Sequence, residues 1–254
     1  MAESISDIRQ RLKEAEAAGE DEELLGSFIA AYEEDGRSGV RTLVGTAKKR
    51  LEAIKREEER THGMYSYERE YAGHGYICGI DEVGRGPFAG PVVAAAVILP
   101  SDHEIKFLND SKKLTEAKRN ELSEVIRREA VAFAIGQVEA ERIDEINILQ
   151  ATYEAMREAI GKLKIRPGIL LNDAVTIPGV DIKQVPIIKG DAKSASIAAA
   201  SIIAKVYRDA LMTEYAIKYP EYNFASNKGY GSEEHRAAIA RYGICPIHRR
   251  SFIH

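Results

Sequence analysis

Asp81 and Glu82 stand side by side where an apolar stretch, YICGIDE, gives way to glycines. Two further carboxylates follow apolar stretches in the same way: Asp173 closes GILLND, and Asp191 comes just after QVPIIK. Burying neighbouring carboxylates without a partner is costly, so the pattern calls for a cation. Carboxylate oxygens gathered from three strand ends are ligands for a hard divalent ion such as Mg²⁺, and the edge of an α/β sheet where strands end commonly forms the ligand crevice. Side chains alternate across a strand, so Asp81 and Glu82 converge only if the strand ends or bends there, which the following glycines permit. Any one of the four acids taken alone reads equally as a turn residue facing a lysine; all four together do not.

The loops beside these acids carry a second kind of chemistry. Gly84-Arg85-Gly86-Pro87 lets backbone N–H groups approach a phosphate or ribose, and Arg85 adds a guanidinium of matching geometry, although a plain β-turn has the same composition. Gly84, Gly86 and Gly90 lack the spacing of a dinucleotide fingerprint, Pro87 and PVVAAAVIL leave no helix to hold a pyrophosphate, and GxxxxGK[ST] is absent. Lys112 and Lys113 in DSKKL, Lys189 and Lys193 in KGDAKS, and Lys228 in NKGYG fall in loops, where Ser111 and Ser194 add hydroxyls suited to phosphate oxygens. Tyr230, between Gly229 and Gly231, reads as a ring that stacks on a sugar or base, or else packs into its loop. The six histidines lack ligand spacing and no CxxC accompanies them, which argues against zinc. His235, near the start of the last helix, reads as a packing or surface residue.

Stepping outward, the elements that must hold these groups are those of a soluble α/β protein. The chain has 254 residues, 44% hydrophobic and 30% charged, with a net charge of −4. That total hides a division: residues 1–70 carry 12 Lys and Arg against 17 Asp and Glu, while residues 183–254 carry 11 against 6, a basic part suited to a polyanionic backbone. With two cysteines, no apolar leader and no apolar run of membrane-spanning length, a reducing cytoplasm is expected and a membrane is not. Residues 1–70 read as a small helical appendage (SISDIRQRLKEAEA, EELLGSFIAAYEE, SGVRTLVGTAKKRLEAIKREEER) punctuated by Gly19, Gly36 and Gly39. A composition shift near residues 71–75 marks the start of an α/β domain over 71–254. Strands are expected at 76–82, 91–99, 131–140, GILLND and QVPIIK, with helices at 115–129, 141–163, 194–218 and 232–242 and a polar loop at 223–231. The first two strands have no helix between them, so an antiparallel start followed by parallel strands, a mixed sheet, is expected.

Four signatures, GIDEVGRGPFAGPVVAAAVIL, DSKKL, KGDAKSASIAAASIIAKVYRD and NKGYGSEEH, resemble bacterial ribonuclease HII and run across residues 77–235. The resemblance implies a ribonuclease H-like fold, a mixed five-stranded sheet flanked by helices with a small helical N-terminal domain. It implies a monomeric endonuclease that cleaves RNA in RNA–DNA hybrids and at single ribonucleotides in duplex DNA, with two Mg²⁺ or Mn²⁺ ions. The family's metal-binding acids fall on Asp81, Glu82, Asp173 and Asp191. Its ribose-sensing motif falls on Gly84, Arg85 and Gly86, and its junction-reading tyrosine on Tyr230; Ser111, Lys112, Lys189, Lys193 and Ser194 complete the expected substrate contacts. In the expected hydrolysis Asp81 bridges both ions, Glu82 and Asp173 help hold one, and Asp191 holds the other near the attacking water, leaving a 5′ phosphate. Asn172 departs from the family, which usually has an apolar residue before the third acid, and makes that strand end more polar. Residues 1–70 are an extension that only some members carry; Lys48, Lys49, Arg50, Lys55 and Arg56 make them either a substrate-gripping module or a solvated charged helix. Two rival classes remain at this point: a non-catalytic hybrid-binding protein, which would need no metal, and an unrelated phosphotransferase, which lacks its phosphate-cradle motifs.

Overall fold

The computed structural model describes residues 3–17 and 22–253, so Gly19 and His254 lie outside the described residues. The chain divides into two compact units, Met1–Arg60 and Thr61–His254. In the first, α1 (Ile5–Ala17), α2 (Glu22–Tyr32) and the body of α3 (Ser38–Met64) bury one apolar stripe each. Ile8, Leu12, Leu25, Phe28, Val40, Val44, Ala47 and Ile54 form their shared core at the spacing of a helix face. Gly39 does not separate helices: it lies in the first turn of α3, where a Cβ would stand 3.1 Å from the Ile5 side chain.

The second unit runs α4 (Ser66–Glu70), β1 (Ile77–Val83), β2 (Val92–Ile98), α5 (Glu116–Glu129), β3 (Ala132–Val138), α6 (Ala140–Lys162), β4 (Ile169–Asp173), β5 (Lys183–Ile187), α7 (Ala195–Lys218), α8 (Phe224–Asn227) and α9 (Glu233–Tyr242). The strands form one mixed sheet in the order β3-β2-β1-β4-β5, with β1, β2 and β3 antiparallel in turn and β1, β4 and β5 parallel. The all-apolar β2 is buried along its whole length because helices cover both faces. Val93, Ala95 and Val97 face α5 and α7, whereas Val92, Ala94, Ala96 and Ile98 face α6, a division by the strand period of two. Gly79 in β1 lets α7 lie directly on the sheet, since a Cβ there would come 2.0 Å from the Ser196 carbonyl carbon.

Helix starts follow local chemistry. Thr115, Ser194 and Ser232 each cap a helix by accepting a backbone N–H, from Lys118, Ile197 and His235. Inside α6, Asn147 leaves helical geometry (φ 68°) and accepts from the N–H groups of Leu149 and Gln150, so the helix is kinked and capped afresh there.

Two features differ from the sequence reading. The polar loop at 223–231 contains α8, whose Phe224 is wholly buried. Residues 61–74 pack with the second unit although their composition resembles the first: Met64 and Tyr65 join its core, and the Tyr65 hydroxyl accepts the Ile105 N–H at 2.8 Å. Composition shifts where surface chemistry changes, whereas the unit boundary follows packing. Among the described residues no helix is long and apolar enough to cross a membrane.

Candidate functional site

Strand register brings the acids to one edge. β1 and β4 run parallel with Ile80 beside Asn172, so Asp81 and Asp173 are the next residues out on neighbouring strands. Asp191 sits in a single 3-10 turn, Gly190–Ala192, just beyond β5. The Gly190 N–H donates to Asp173 Oδ1 at 2.7 Å, tying the end of β4 to the turn that carries Asp191.

The electrostatics at this edge are those of carboxylates without sufficient counter-charge. Asp81 is 5% exposed; burial, reinforced by the Glu82 charge, holds its carboxyl well above the ordinary range, against a hydrogen bond from the Ser201 hydroxyl. Burial raises Glu82 too, with Arg85 opposing from 3.4 Å. Asp191 is raised by burial and then by the charges of Asp110 and Asp173, while Lys112 pulls both Glu82 and Asp191 downward. Asp110 is an addition to the expected acids. It opens the DSKKL segment, and its Oδ1 accepts the Lys112 N–H at 2.9 Å, setting the turn that aims this loop.

The glycine loop after Glu82 rests on two buried arginines absent from the sequence reading. Arg208 Nε, Nη1 and Nη2 donate to the carbonyls of Pro91, Lys228 and Ala89 at 3.0, 2.9 and 3.1 Å. Arg249 donates through Nε and Nη2 to Gly90, through Nη1 to Arg85 and through Nη2 to Gly84, over 2.5–3.0 Å. Both side chains are wholly buried, and among the described residues neither has an ion pair. Burial and the Arg208 charge pull Arg249 down to about 9, which leaves it protonated at neutral pH. Gly84 is held at φ 86°, and a Cβ there would meet Arg208 Nε at 2.2 Å, so only glycine fits above the arginine. Because a trans peptide points its N–H opposite its C=O, drawing the Gly84 and Arg85 carbonyls inward turns the N–H groups of Arg85 and Gly86 away from Arg249. Arg85 and Gly86 are exposed.

The second loop closes over the first. Gly229 O accepts the N–H groups of Phe88 and Ala89, and the Tyr230 ring stands 3.8 Å from where a Gly86 Cβ would be, half exposed. The expected ribose-sensing loop and the expected junction tyrosine are thus in contact. Lys112, Lys189 and Lys193 are exposed near the acids' end of the sheet. Ser111 and Ser194, expected as phosphate contacts, are buried with internal partners. Ser111 Oγ bonds Ser201 Oγ at 2.8 Å, and Ser194 Oγ donates to Glu68 Oε1 at 2.6 Å. Lys228 is half-buried, and its ammonium donates to Thr213 Oγ1 at 3.0 Å. His235 is wholly buried, away from the acids, with both ring nitrogens in hydrogen bonds to Tyr230 O and His248 Nε2. Asn172 supports rather than disturbs the third acid: it is buried, and its amide donates to Val175 O and Gln184 Oε1, bracing the turn that follows Asp173. Arg208 and Ser201 were present in the KVYRD and SIIAK segments but lie in a helix that reads as apolar, and only the three-dimensional contact reveals their task.

The donor set at the sheet edge is oxygen only, anionic and short of counter-charge, which fits hard divalent cations and not zinc or copper. Among the described residues no group of three or more His, Cys, Asp or Glu is preassembled to hold a metal, so the fit is one of charge and donor type. A sequence profile of ribonuclease HII matches residues 78–254, and one of the ribonuclease HII N-terminal domain matches residues 4–72. Ribonuclease HII of Lachnoclostridium phytofermentans is 55% identical over 249 residues, covering 97% of this chain and 96% of that protein. Ribonuclease HII of Bacillus subtilis is 51% identical over 98% of this chain and 96% of its own length. The crystal structure of ribonuclease H2 from Pyrococcus horikoshii superposes with a TM-score of 0.58 at 28% identity, covering 69% of this chain and 92% of that one. The fold is therefore ribonuclease H-like, and the chain belongs to the ribonuclease HII family.

Proposed function

We propose that this endoribonuclease cleaves the RNA strand of RNA–DNA hybrids and the phosphodiester beside a single ribonucleotide in duplex DNA, leaving 5′-phosphate and 3′-hydroxyl ends. The observation that carries the reading is the crowding of Asp81 and Glu82: two carboxylates buried on one strand end, both raised by burial and facing Asp173. Such an arrangement destabilises the fold unless divalent cations bind. Asp81, Glu82, Asp173 and Asp191 would hold two such ions, Mg²⁺ or Mn²⁺. Bound there, these ions supply a water acidic enough to ionise near neutral pH and positive charge at the leaving 3′ oxygen.

The chain's own groups do the rest. Burial holds Asp81 and Glu82 above the ordinary carboxylate range, and ligation would favour their ionised forms. Arg85 and Lys112, at the margin of the acids, neutralise phosphates flanking the cleaved bond. The outward N–H groups of Arg85 and Gly86 read the 2′-hydroxyl, the one group that separates ribose from deoxyribose there. Lys189 and Lys193 track the backbone beyond, and Tyr230 stacks on the neighbouring sugar. The protein works as a monomer in a reducing cytoplasm, in keeping with its two free cysteines. The helices of residues 1–60 add grip: changing exposed Lys49, Arg50 and Lys55 to Glu should raise KM about threefold with kcat unchanged, and an unmoved KM removes that role. The deciding assay is incubation with Mg²⁺ and a DNA duplex containing one ribonucleotide. A nick beside that residue is expected; intact duplex, or cleavage that survives chelation of divalent ions, rejects the reading.

A further inference from the structure

Behind Tyr230 lies a pair of buried histidines to which the proposed reaction assigns nothing. His235 Nε2 and His248 Nε2 are 3.0 Å apart, and the outer nitrogens have fixed partners. The Cys245 N–H donates to His248 Nδ1 at 2.9 Å, and His235 Nδ1 lies 2.9 Å from the Tyr230 carbonyl oxygen. A backbone N–H only donates and a carbonyl only accepts, so each end dictates a tautomer. His235 carries its proton on Nδ1; the Cys245 carbonyl also lies 3.3 Å from His248 Nδ1, but it already accepts the His248 backbone N–H at 3.0 Å, so the shorter contact from the Cys245 N–H places the His248 ring proton on Nε2. The central contact then has one proton, passed from His248 to His235, as its length requires. All three bonds point one way, from Cys245 to Tyr230.

The surroundings keep that direction. Phe224 and Tyr222 pack on both rings, with centroids 4.8–6.1 Å away, and Phe88 lies 6.2 Å from His235. The carbonyl at the end of the chain belongs to the residue whose side chain meets Gly86. The Tyr230 backbone is also held by its N–H to Asn227 O and by the Ser232 N–H to its carbonyl, while Gly231 is pressed against the Phe88 ring. The backbone is thus hydrogen-bonded on both sides of Tyr230, while its ring is half exposed.

We propose that the His248–His235 relay is a positioning device that fixes Tyr230 over the glycine loop and thereby sets how strongly the enzyme prefers a single ribonucleotide to continuous RNA. The proposal rests on Tyr230 being the side chain that stacks at the junction. Two residues 13 apart in sequence then act on specificity without touching substrate.

The test compares kcat and KM on a duplex with one ribonucleotide and on an all-ribonucleotide hybrid, both with Mg²⁺. His235→Leu removes the side-chain donor to Tyr230 O, leaving only the Ser232 N–H, and should lower kcat/KM on the single ribonucleotide about tenfold more than on the hybrid. His235→Asn, whose amide can reach the same carbonyl, should restore most of the ratio. Equal losses on both substrates, or no loss, overturn the relay. Tyr230→Ala separates the premise: an unchanged ratio there rejects the junction tyrosine itself, whereas a changed ratio with His235→Leu neutral rejects the relay alone. Should His235→Leu fail to fold, ¹⁵N imidazole spectra of the unaltered protein decide. Nδ1–H on His235 with Nε2–H on His248 at neutral pH supports the device, and any other pairing overturns it.

Discussion

The sheet edge and the floor beneath the glycine loop each place like charges side by side inside the protein, and they treat them in opposite ways. Arg208 and Arg249 are wholly buried, yet their N–H groups end on six carbonyls, those of Gly84, Arg85, Ala89, Gly90, Pro91 and Lys228. Asp81 and Glu82 are supported far less: one backbone N–H, the Ser201 hydroxyl and a long contact to exposed Arg85. Charge that belongs to the fold is surrounded by fixed dipoles, while charge reserved for a ligand is left short of them. Glu68 falls between. Its Oε1 accepts from Ser194 Oγ and the Ser196 N–H at the start of α7, and its buried Oε2 has no hydrogen-bond partner among the described residues.

The sharpest way to break this contrast is Asp81→Asn. It should reduce kcat by about 10³-fold or more while raising the melting temperature of the metal-free protein, because an amide ends the repulsion with Glu82. Turnover close to normal, or a lowered melting temperature, would contradict the contrast. The advantage has a pH sign. An acid whose folded pKa is raised contributes stability below its unfolded pKa and loses it as pH rises through the folded value. Without divalent ions, the stability gap between Asp81→Asn and the unaltered protein should therefore widen from pH 4 upward, and saturating Mg²⁺ should narrow it; urea titrations read both.

Next in size is Arg249→Met. It leaves the Gly84, Arg85 and Gly90 carbonyls without their donor and should cost about 3 kcal/mol or more in urea unfolding. A loss under 1 kcal/mol would mean that the carbonyls do little to fix the loop.

His248 should give a comparable effect of opposite sign in pH. Burial lowers it to about 4, so its stability is complete above the unfolded pKa and is lost as pH falls to about 4. The difference in unfolding free energy between the unaltered protein and His248→Gln should shrink by roughly 3 kcal/mol across that window, and a flat difference would dismiss the neutral ring. Glu68→Gln, the intermediate case, should cost only about 1 kcal/mol. Deleting residues 1–70 removes Met64, Tyr65 and Glu68 together and should destabilise the second unit more than deleting 1–60.

Much of this was legible from local pattern. Apolar runs placed the strands, helix starts were expected at Thr115, Ser194 and Ser232, and the recurrence of carboxylates after apolar runs put Asp81, Glu82, Asp173 and Asp191 at one edge. What escaped depends on contacts between distant segments. Ser111 and Ser194 have the right chemistry for phosphate, but partners 90 and 126 residues away claim their hydroxyls. Arg208 hides in an alanine-rich helix, and although His235 ends the NKGYGSEEH signature, nothing in the sequence pairs it with His248 until the fold brings their rings together.

Arg249 lies 165 residues downstream of Gly84, the carbonyl it holds. A chain emerging from the ribosome therefore exposes its acids and its glycine loop long before that guanidinium is made. Until then the loop lacks the arginine floor that fixes it, although the carboxylates proposed to hold metal are already made. Order of synthesis thus delays fixation of the glycine loop until residue 249 has been made. Ribosome-stalled chains ending before position 249 should be cut by protease within residues 84–91, and chains extended past it into folding range should resist.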